Sequence, residues 1–409
     1  MNTHLVFSRL RQAGFTLIEI MIALLIGVIG IVVMMQTFAV SEGFKRTATS
    51  GTDAQINGAV ALYMLEREIR LAGFGMNALI PHGCPSVRVW NTASGSGVDL
   101  RLVPFEINPA GIPAGDANTD VFLIAYGTAD SFVAGVQADQ ATNVATGDFT
   151  LYSNREGFKN GDLVVSVQPG AGAGGSASCV LHEITKSPGA AGNCGTPPPA
   201  PSSLVHGTGA YLSKSKGCAS VTATHNSAAG IRDSSGAVVP VVKMSSGGQL
   251  FNLGGLPSIK VYAIRGGNLT SCDMVASNCT VVANYTILVN DIVSMRAVYG
   301  MNLTPSVTAL PGDGIVTWGR AALTGNVFLP SRVMAATLEV TARSGLLEKP
   351  AVGTVCDATP QAQRPDRTQD WIWQSLAGID LSTTDANWSC YRYKLYQTSV
   401  PLRNMIWRP

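Results

Sequence analysis

The sequence predicts an α+β protein, with one long N-terminal helix followed by a large head built on antiparallel strands. Three observations predict it. Ile20–Met35 is a run of sixteen residues with no polar side chain. Helical periodicity continues beyond that run to about residue 72. After it, short segments rich in Val, Ile and Tyr alternate with Gly, Pro, Asn and Asp. A long helix and then many strands is the element order of a fold whose sheet packs on the helix. Composition agrees. Hydrophobic residues make up 46% of the 409, and charged residues 13%, about half of the usual roughly 25%. That supplies a core and is too little charge for a disordered chain. A net charge of +2 excludes a generally basic nucleic-acid binder.

The helix comes first. Phe15–Ile18 extend the apolar run upstream and Phe38–Val40 downstream. As a helix, residues 15–40 cover about 39 Å, enough to cross the hydrocarbon layer of roughly 30 Å. Arg9 and Arg11 precede the run, and the next base is Lys45. The positive-inside bias therefore keeps the N-terminus in the cytoplasm and sends the rest outside. Glu19 interrupts the apolar character. A carboxylate inside a membrane helix costs about 2.5–3.5 kcal/mol and needs a partner. It could reach the headgroups from near the helix end. Alternatively, a cut after Gly14 would free an ammonium at Phe15, and a carboxylate on a neighbouring helix, offset by one turn, could neutralise it. An ordinary secretory signal fits poorly, because its apolar region is shorter and Thr37-Phe38-Ala39 is a weak cleavage site.

The segment GFTLIEIMIALLIG at residues 14–27 closely resembles the class III leader and helix start of type IV pilins and pseudopilins. That resemblance implies a leader of residues 1–14, cut by prepilin peptidase between Gly14 and Phe15. It also implies N-methylation of Phe15 and a docking role for Glu19 in a growing filament.

Residues 41–74 read as the amphipathic continuation of the helix. Ile56, Ala59, Val60 and Tyr63 recur at i, i+3, i+4, i+7, with Leu62, Leu65 and Ile69 as an adjoining stripe. Gly73 and Gly75 end it. Glycines inside a helix each cost up to about 1 kcal/mol relative to Ala. Gly27 and Gly30 are expected to let the helix bend or locally melt during packing, or to allow close helix approach in lipid.

Residues 75–409 form the β-rich head. Strands are expected at 87–90, 100–104, 121–126, 149–152, 162–167, 180–185, 238–244, 259–265, 285–289, 292–299, 332–343 and 390–397, with Pro240 at an edge or bulge. The Gly/Pro-rich region near 168–217 reads as surface loops. Four head segments, MLEREIRLAGFGMNA at 64–78, LVNDIVSMRAVYGMN at 288–302, MAATLEVTARS at 334–344 and CYRYKLYQTSVPLRNMIW at 390–407, narrow the resemblance to PilW-like minor pilins. With residues 10–50 they cover about a quarter of the chain.

All eight cysteines follow the apolar run, in what the topology makes an oxidising periplasm. Cys272–Cys279, which closes a six-residue loop, is favoured, and so is Cys356–Cys390, which would tie the tail to an earlier loop. Cys179–Cys194 would staple the Gly/Pro-rich region, which leaves Cys84–Cys218. The CxxC spacing of a metal site is absent.

Catalytic motifs fail in turn. His182-Glu183 begins like HExxH, but Lys186 stands where the second histidine is needed. Gly170, Gly172 and Gly175 match GxGxxG, but strand-like residues follow them. No enzyme activity and no cofactor are expected. Tyr391, Arg392, Tyr393, Lys394 and Tyr396 put aromatics and bases on one strand, which could stack on nucleic acid. An amphipathic strand with solvated bases explains them more simply.

The resemblance therefore implies a minor pilin of type IV pilus assembly at the filament tip. Its partners would be other minor pilins, the major pilin, prepilin peptidase, the inner-membrane assembly platform and, before assembly, membrane lipid. It would sit single-pass in the inner membrane with a periplasmic head, and in the pilus after assembly. The alternatives are a pseudopilin of type II secretion or a membrane-anchored adhesin.

Overall fold

The computed structural model describes residues 14–76, 87–91, 96–100, 102–130, 135–139, 148–152, 157–168, 178–187, 194–195, 203–226, 248–301, 317–320, 333–348, 355–356, 358–359 and 387–406. The leader up to residue 13, Cys84 and the strand expected at 238–244 with Pro240 lie outside them.

Helix α1 spans Leu17–Leu71 without a break, so Gly27 and Gly30 sit in continuous helix. It starts two residues later than the periodicity suggests, because Thr16 is its N-cap. It ends at Ala72, where Gly73 takes a φ of +79°. A Cβ there would lie 2.9 Å from the Met405 sulfur and 3.1 Å from Pro104 Cγ, so both the turn and its packing require glycine.

Strands among the described residues follow in chain order: β1 (Val87–Asn91), β2 (Ser96–Leu100), β3 (Phe105–Ile107), β4 (Phe122–Tyr126), β5 (Val136–Asp139), β6 (Asp148–Leu151), β7 (Leu163–Gln168), β8 (Ser178–Glu183), β9 (Ser203–Val205), β10 (Ala210–Ser213), β11 (Ala219–Thr222), β12 (Gln249–Gly254), β13 (Ser258–Arg265), β14 (Asn268–Asp273), β15 (Thr286–Val289), β16 (Ile292–Met301), β17 (Thr317–Gly319), β18 (Val333–Arg343) and β19 (Tyr393–Pro401). A short helix α2 (Arg403–Ile406) closes the described chain. An eight-stranded sheet runs β2-β1-β8-β7-β12-β5-β6-β9, a five-stranded sheet β15-β14-β13-β4-β3, and a four-stranded sheet β17-β16-β18-β19, with β10-β11 a separate hairpin.

The five-stranded sheet is the middle layer. Phe122, Ile124, Tyr262 and Ile264 face a core shared with Ala61, Leu65 and Ile69 of α1 and with β16 and β18. The alternate residues Leu123, Ala125, Val261 and Ala263 face Val165, Leu181 and Phe251 of the eight-stranded sheet. Burial on both faces is why β4 and β13 read as near-continuous apolar runs. A smaller core, with Phe149, Leu151, Phe158, Val164, Leu204 and Leu250, lies beyond the eight-stranded sheet.

Several expectations change. The stripe of α1 that meets the head is Ala54, Gly58, Ala61, Leu65 and Ile69; Ile56, Val60 and Tyr63 are exposed. The cause is close approach. A Cβ at Gly58 would collide with the Tyr396 ring and reach Ala342 Cβ at 3.0 Å, so glycine is what lets the helix meet β18 and β19 there. The strand expected at 100–104 is not found: β2 ends at Leu100, residues 102–104 are not in a strand, and β3 begins at Phe105. Pro104 has no N–H for a ladder, and its carbonyl accepts the Ala125 N–H at 3.0 Å. The last strand starts at Tyr393, after a 3₁₀ turn at Trp388–Cys390, and runs on to Pro401. β1 and β8 pair in parallel, which the all-antiparallel expectation missed. The loop-rich region holds β8 and β9, and β10 lies within 168–217 as well.

The disulfides Cys272–Cys279 and Cys356–Cys390 form as expected. Cys194, however, pairs with Cys218, which corrects both Cys179–Cys194 and Cys84–Cys218. Cys179 is itself disulfide-bonded.

Candidate functional site

The N-terminal end of α1 is built on a capping box. Thr16 is extended, with φ −79° and ψ 151°. Its hydroxyl accepts the Glu19 N–H at 3.4 Å, while Glu19 Oε2 accepts the Thr16 N–H and hydroxyl, each at 3.3 Å. Two orphan donors of the first turn are thereby satisfied, and the carboxylate sits at the positive end of the helix dipole. Gly14 and Phe15 precede this cap, outside the helix, with Phe15 82% exposed. The backbone at the expected cut is therefore not locked into helical hydrogen bonds.

Behind the cap, Leu17–Lys45 is a 29-residue stretch whose most apolar 18-residue window has a mean hydropathy of 2.9, and among the described residues nothing covers it. Phe15, Glu19, Ile20, Ala23, Leu24, Gly27, Val28 and Ile31 line one shallow face of it. A Cβ at Gly27 or Gly30 would meet nothing within 4 Å. Burying so much apolar surface requires lipid or other helices.

The aromatic and basic strand is occupied internally. Arg343 stacks over the Tyr391 ring at 4.3 Å, and Arg392 pairs with Glu348. The Tyr393 hydroxyl donates to the Trp388 carbonyl at 3.1 Å, and that of Tyr396 to the Gln55 carbonyl at 2.9 Å. These side chains do not form a stacking platform for nucleic acid.

His182 and Glu183 are structural. The His182 Nε2 lies 3.0 Å from the Ser166 hydroxyl, and its ring centroid is 4.8 Å from that of His206. Phe149 packs on both rings. Burial holds His182 well below the usual histidine range, with His206 adding to the effect, and holds His206 at about 4. Glu183 turns to the other face of β8, where it accepts from the Tyr211 hydroxyl, from the Thr224 N–H at 2.7 Å and from the His225 N–H at 3.1 Å. Among the described residues, no three His, Cys, Asp or Glu side chains gather as metal ligands.

One feature of the head has no sequence motif: a cleft of about 510 Å³ between the β10–β11 hairpin and the ends of β13 and β14. It is assembled from segments far apart in the chain, and only its charged residues could have hinted at it.

Residues 9–35 match the family model described as "Prokaryotic N-terminal methylation motif". No curated protein and no solved structure matches the chain. The chain thus carries a type IV prepilin-like N-terminus ahead of a membrane-anchoring apolar helix, joined to a β-rich α+β head.

Proposed function

We propose that the protein is a PilW-like minor pilin that enters a type IV pilus, at its initiating tip, through its N-terminal helix. The observation that carries this reading is that the methylation motif runs into an uncovered helix segment, Leu17–Lys45, whose sixteen-residue apolar run is preceded at the first turn by the Glu19 carboxylate. Prepilin peptidase removes residues 1–14 and Phe15 is methylated. The helix waits in the inner membrane while the head folds in the periplasm.

On extraction, Glu19 exchanges its Thr16 partners for the new ammonium of an adjacent subunit. Gly27 and Gly30 supply flexibility or close approach. The exposed stripe Ile56, Val60 and Tyr63 offers a second surface for neighbouring subunits, other minor pilins and the major pilin among them. The protein is a structural subunit without catalytic chemistry.

The decisive experiment is the intact mass of the mature protein. A chain starting at a methylated Phe15 is expected; any other start overturns the reading. Glu19→Ala should leave insertion and cleavage intact and deplete the subunit from sheared filaments. Equal recovery of mutant and wild type would defeat the charge pairing. The same N-terminal motif suits a pseudopilin, and a deletion strain separates the two: lost surface pili favour the pilus, and lost protein secretion with normal pili favours the secretion system.

A further inference from the structure

The cleft in the head is a built site. One wall is the β10–β11 hairpin, whose turn is stapled by Cys194–Cys218. The other is the turn after β14, stapled by Cys272–Cys279 next to Asp273. Rigid walls reduce the ordering a ligand must impose. Its volume of about 510 Å³ falls in the roughly 300–1,000 Å³ range of small-molecule sites.

The chemistry of the lining narrows the ligand. Lys216 and Lys260 are offset by Glu183 and Asp273, so the cleft attracts neither anions nor cations as a class. Both Glu183 oxygens are taken by Tyr211, Thr224 and His225, which leaves that carboxylate a wall strut rather than a cation ligand. Lys260 and Asp273 are direct cross-strand partners on β13 and β14, so their side chains leave the same face of the sheet. They place a strong donor beside a strong acceptor.

Asp273 Oδ1 takes the Val275 N–H at 2.9 Å, which fixes the carboxylate. Burial pushes its pKa up against the opposing pull of Lys260 and His225. The half-buried Tyr126 and Tyr211 and the exposed Leu256, 61% accessible, line the same cleft. A ligand that suits all three conditions is uncharged, carries neighbouring hydroxyls that both donate and accept, and has C–H faces to lay on rings. The geometry points to a neutral saccharide, held between Lys260 and Asp273 and covered by Tyr211 and Leu256. This goes beyond the pilin reading and would make the head a recognition module.

The test uses the mature full chain in a detergent without a sugar headgroup. Saturation-transfer NMR is run against glucose, galactose, mannose, N-acetylglucosamine and N-acetylgalactosamine. Transfer to at least one sugar is expected. Asp273→Asn, which keeps an acceptor for the Val275 N–H, and Lys260→Met should each weaken it tenfold or more at unchanged melting temperature. Lys260→Met, on a half-exposed side chain, keeps the test decisive should Asp273→Asn disturb its turn. No transfer to any of the five sugars, or transfer unchanged in Lys260→Met, overturns the proposal. Displacement of a bound sugar by inorganic phosphate also overturns it, since that reveals an anion site. None of these results moves the N-terminal mass, so this proposal and the pilin reading fail separately.

Discussion

The two halves of α1 are one helix in two solvents. In Leu17–Lys45 every described side chain is exposed, and nearly every one is apolar. In residues 51–71 one stripe, with Leu65 and Ile69, is sealed against the head, while Ile56, Val60 and Tyr63 point away from it. Gly58 lets β18 and β19 approach closely, and further along the same stripe Leu65 and Ile69 fill the core. An apolar residue on this helix therefore stabilises the head only where the head already touches it.

The largest expected effect tests that contrast directly. Leu65→Ala, in the sealed stripe, should destabilise the head by about 2–5 kcal/mol, measured by denaturant unfolding in detergent. Leu25→Ala, the same change in the uncovered half, should leave the head's unfolding midpoint where it was. Equal losses would mean that the halves are not energetically separate.

Acid should next divide head from helix. Below about pH 6.5 the unfolded chain protonates His182 and His206, while burial makes the folded head refuse the proton at His206 until about pH 4. Asp148, the facing carboxylate, favours the charged form of His206 but does not outweigh burial. Stability is thus complete above pH 6.5 and falls as pH drops toward 4, by about 3 kcal/mol for His206 alone. Chemical denaturation across that window checks it. A flat profile would show that the imidazoles open to water at no cost.

A smaller loss, about 1–3 kcal/mol, is expected for Gly58→Val, which drives a side chain into Tyr396. Gly27→Val should leave head stability unchanged. The smallest effect belongs to Tyr63→Ser, within about 0.5 kcal/mol for a surface site. Its consequence should appear instead in recovery from sheared filaments, and normal recovery would remove the exposed stripe from the assembly surface.

The sequence made some of this legible. The helix was plain because its apolar run has no rival in the chain. β4, β13, β16 and β18 were plain because burial on both faces demands Val- and Ile-rich runs. β12 and β14 escaped because QLFNLG and NLTSCD mix polar residues into strands, with Asn252 bonding the Asp162 carboxylate at 2.8 Å. Periodicity finds two adjoining stripes on α1 and cannot rank them without the partner surface; the stripe of Leu62, Leu65 and Ile69 is the one that meets the head. Cys272–Cys279 followed from its short separation, and Cys356–Cys390 from the way it ties the tail to an earlier loop. Cys194–Cys218 did not, since loop-closure entropy changes too slowly with length to discriminate among pairings. The prepilin-like end is local and so readable, whereas the cleft exists only after distant segments meet.

The C-terminal strand also sets a timetable. β19 lies on α1, with the Tyr396 hydroxyl on the Gln55 carbonyl, and just beyond it the Asn404 amide reaches the carbonyls of Leu71 and Ala72. Roughly 330 residues separate the sealed stripe of α1 from Tyr396. At about 5–20 residues per second, the ribosome leaves that stripe bare for roughly 15–65 seconds. During that interval Leu65 and Ile69 are sticky, and the core that hides them is completed only when β18 and β19 arrive. A nascent chain of this kind has to be shielded while it waits, and one that stalls short of β19 is marked for removal by the surface it still shows.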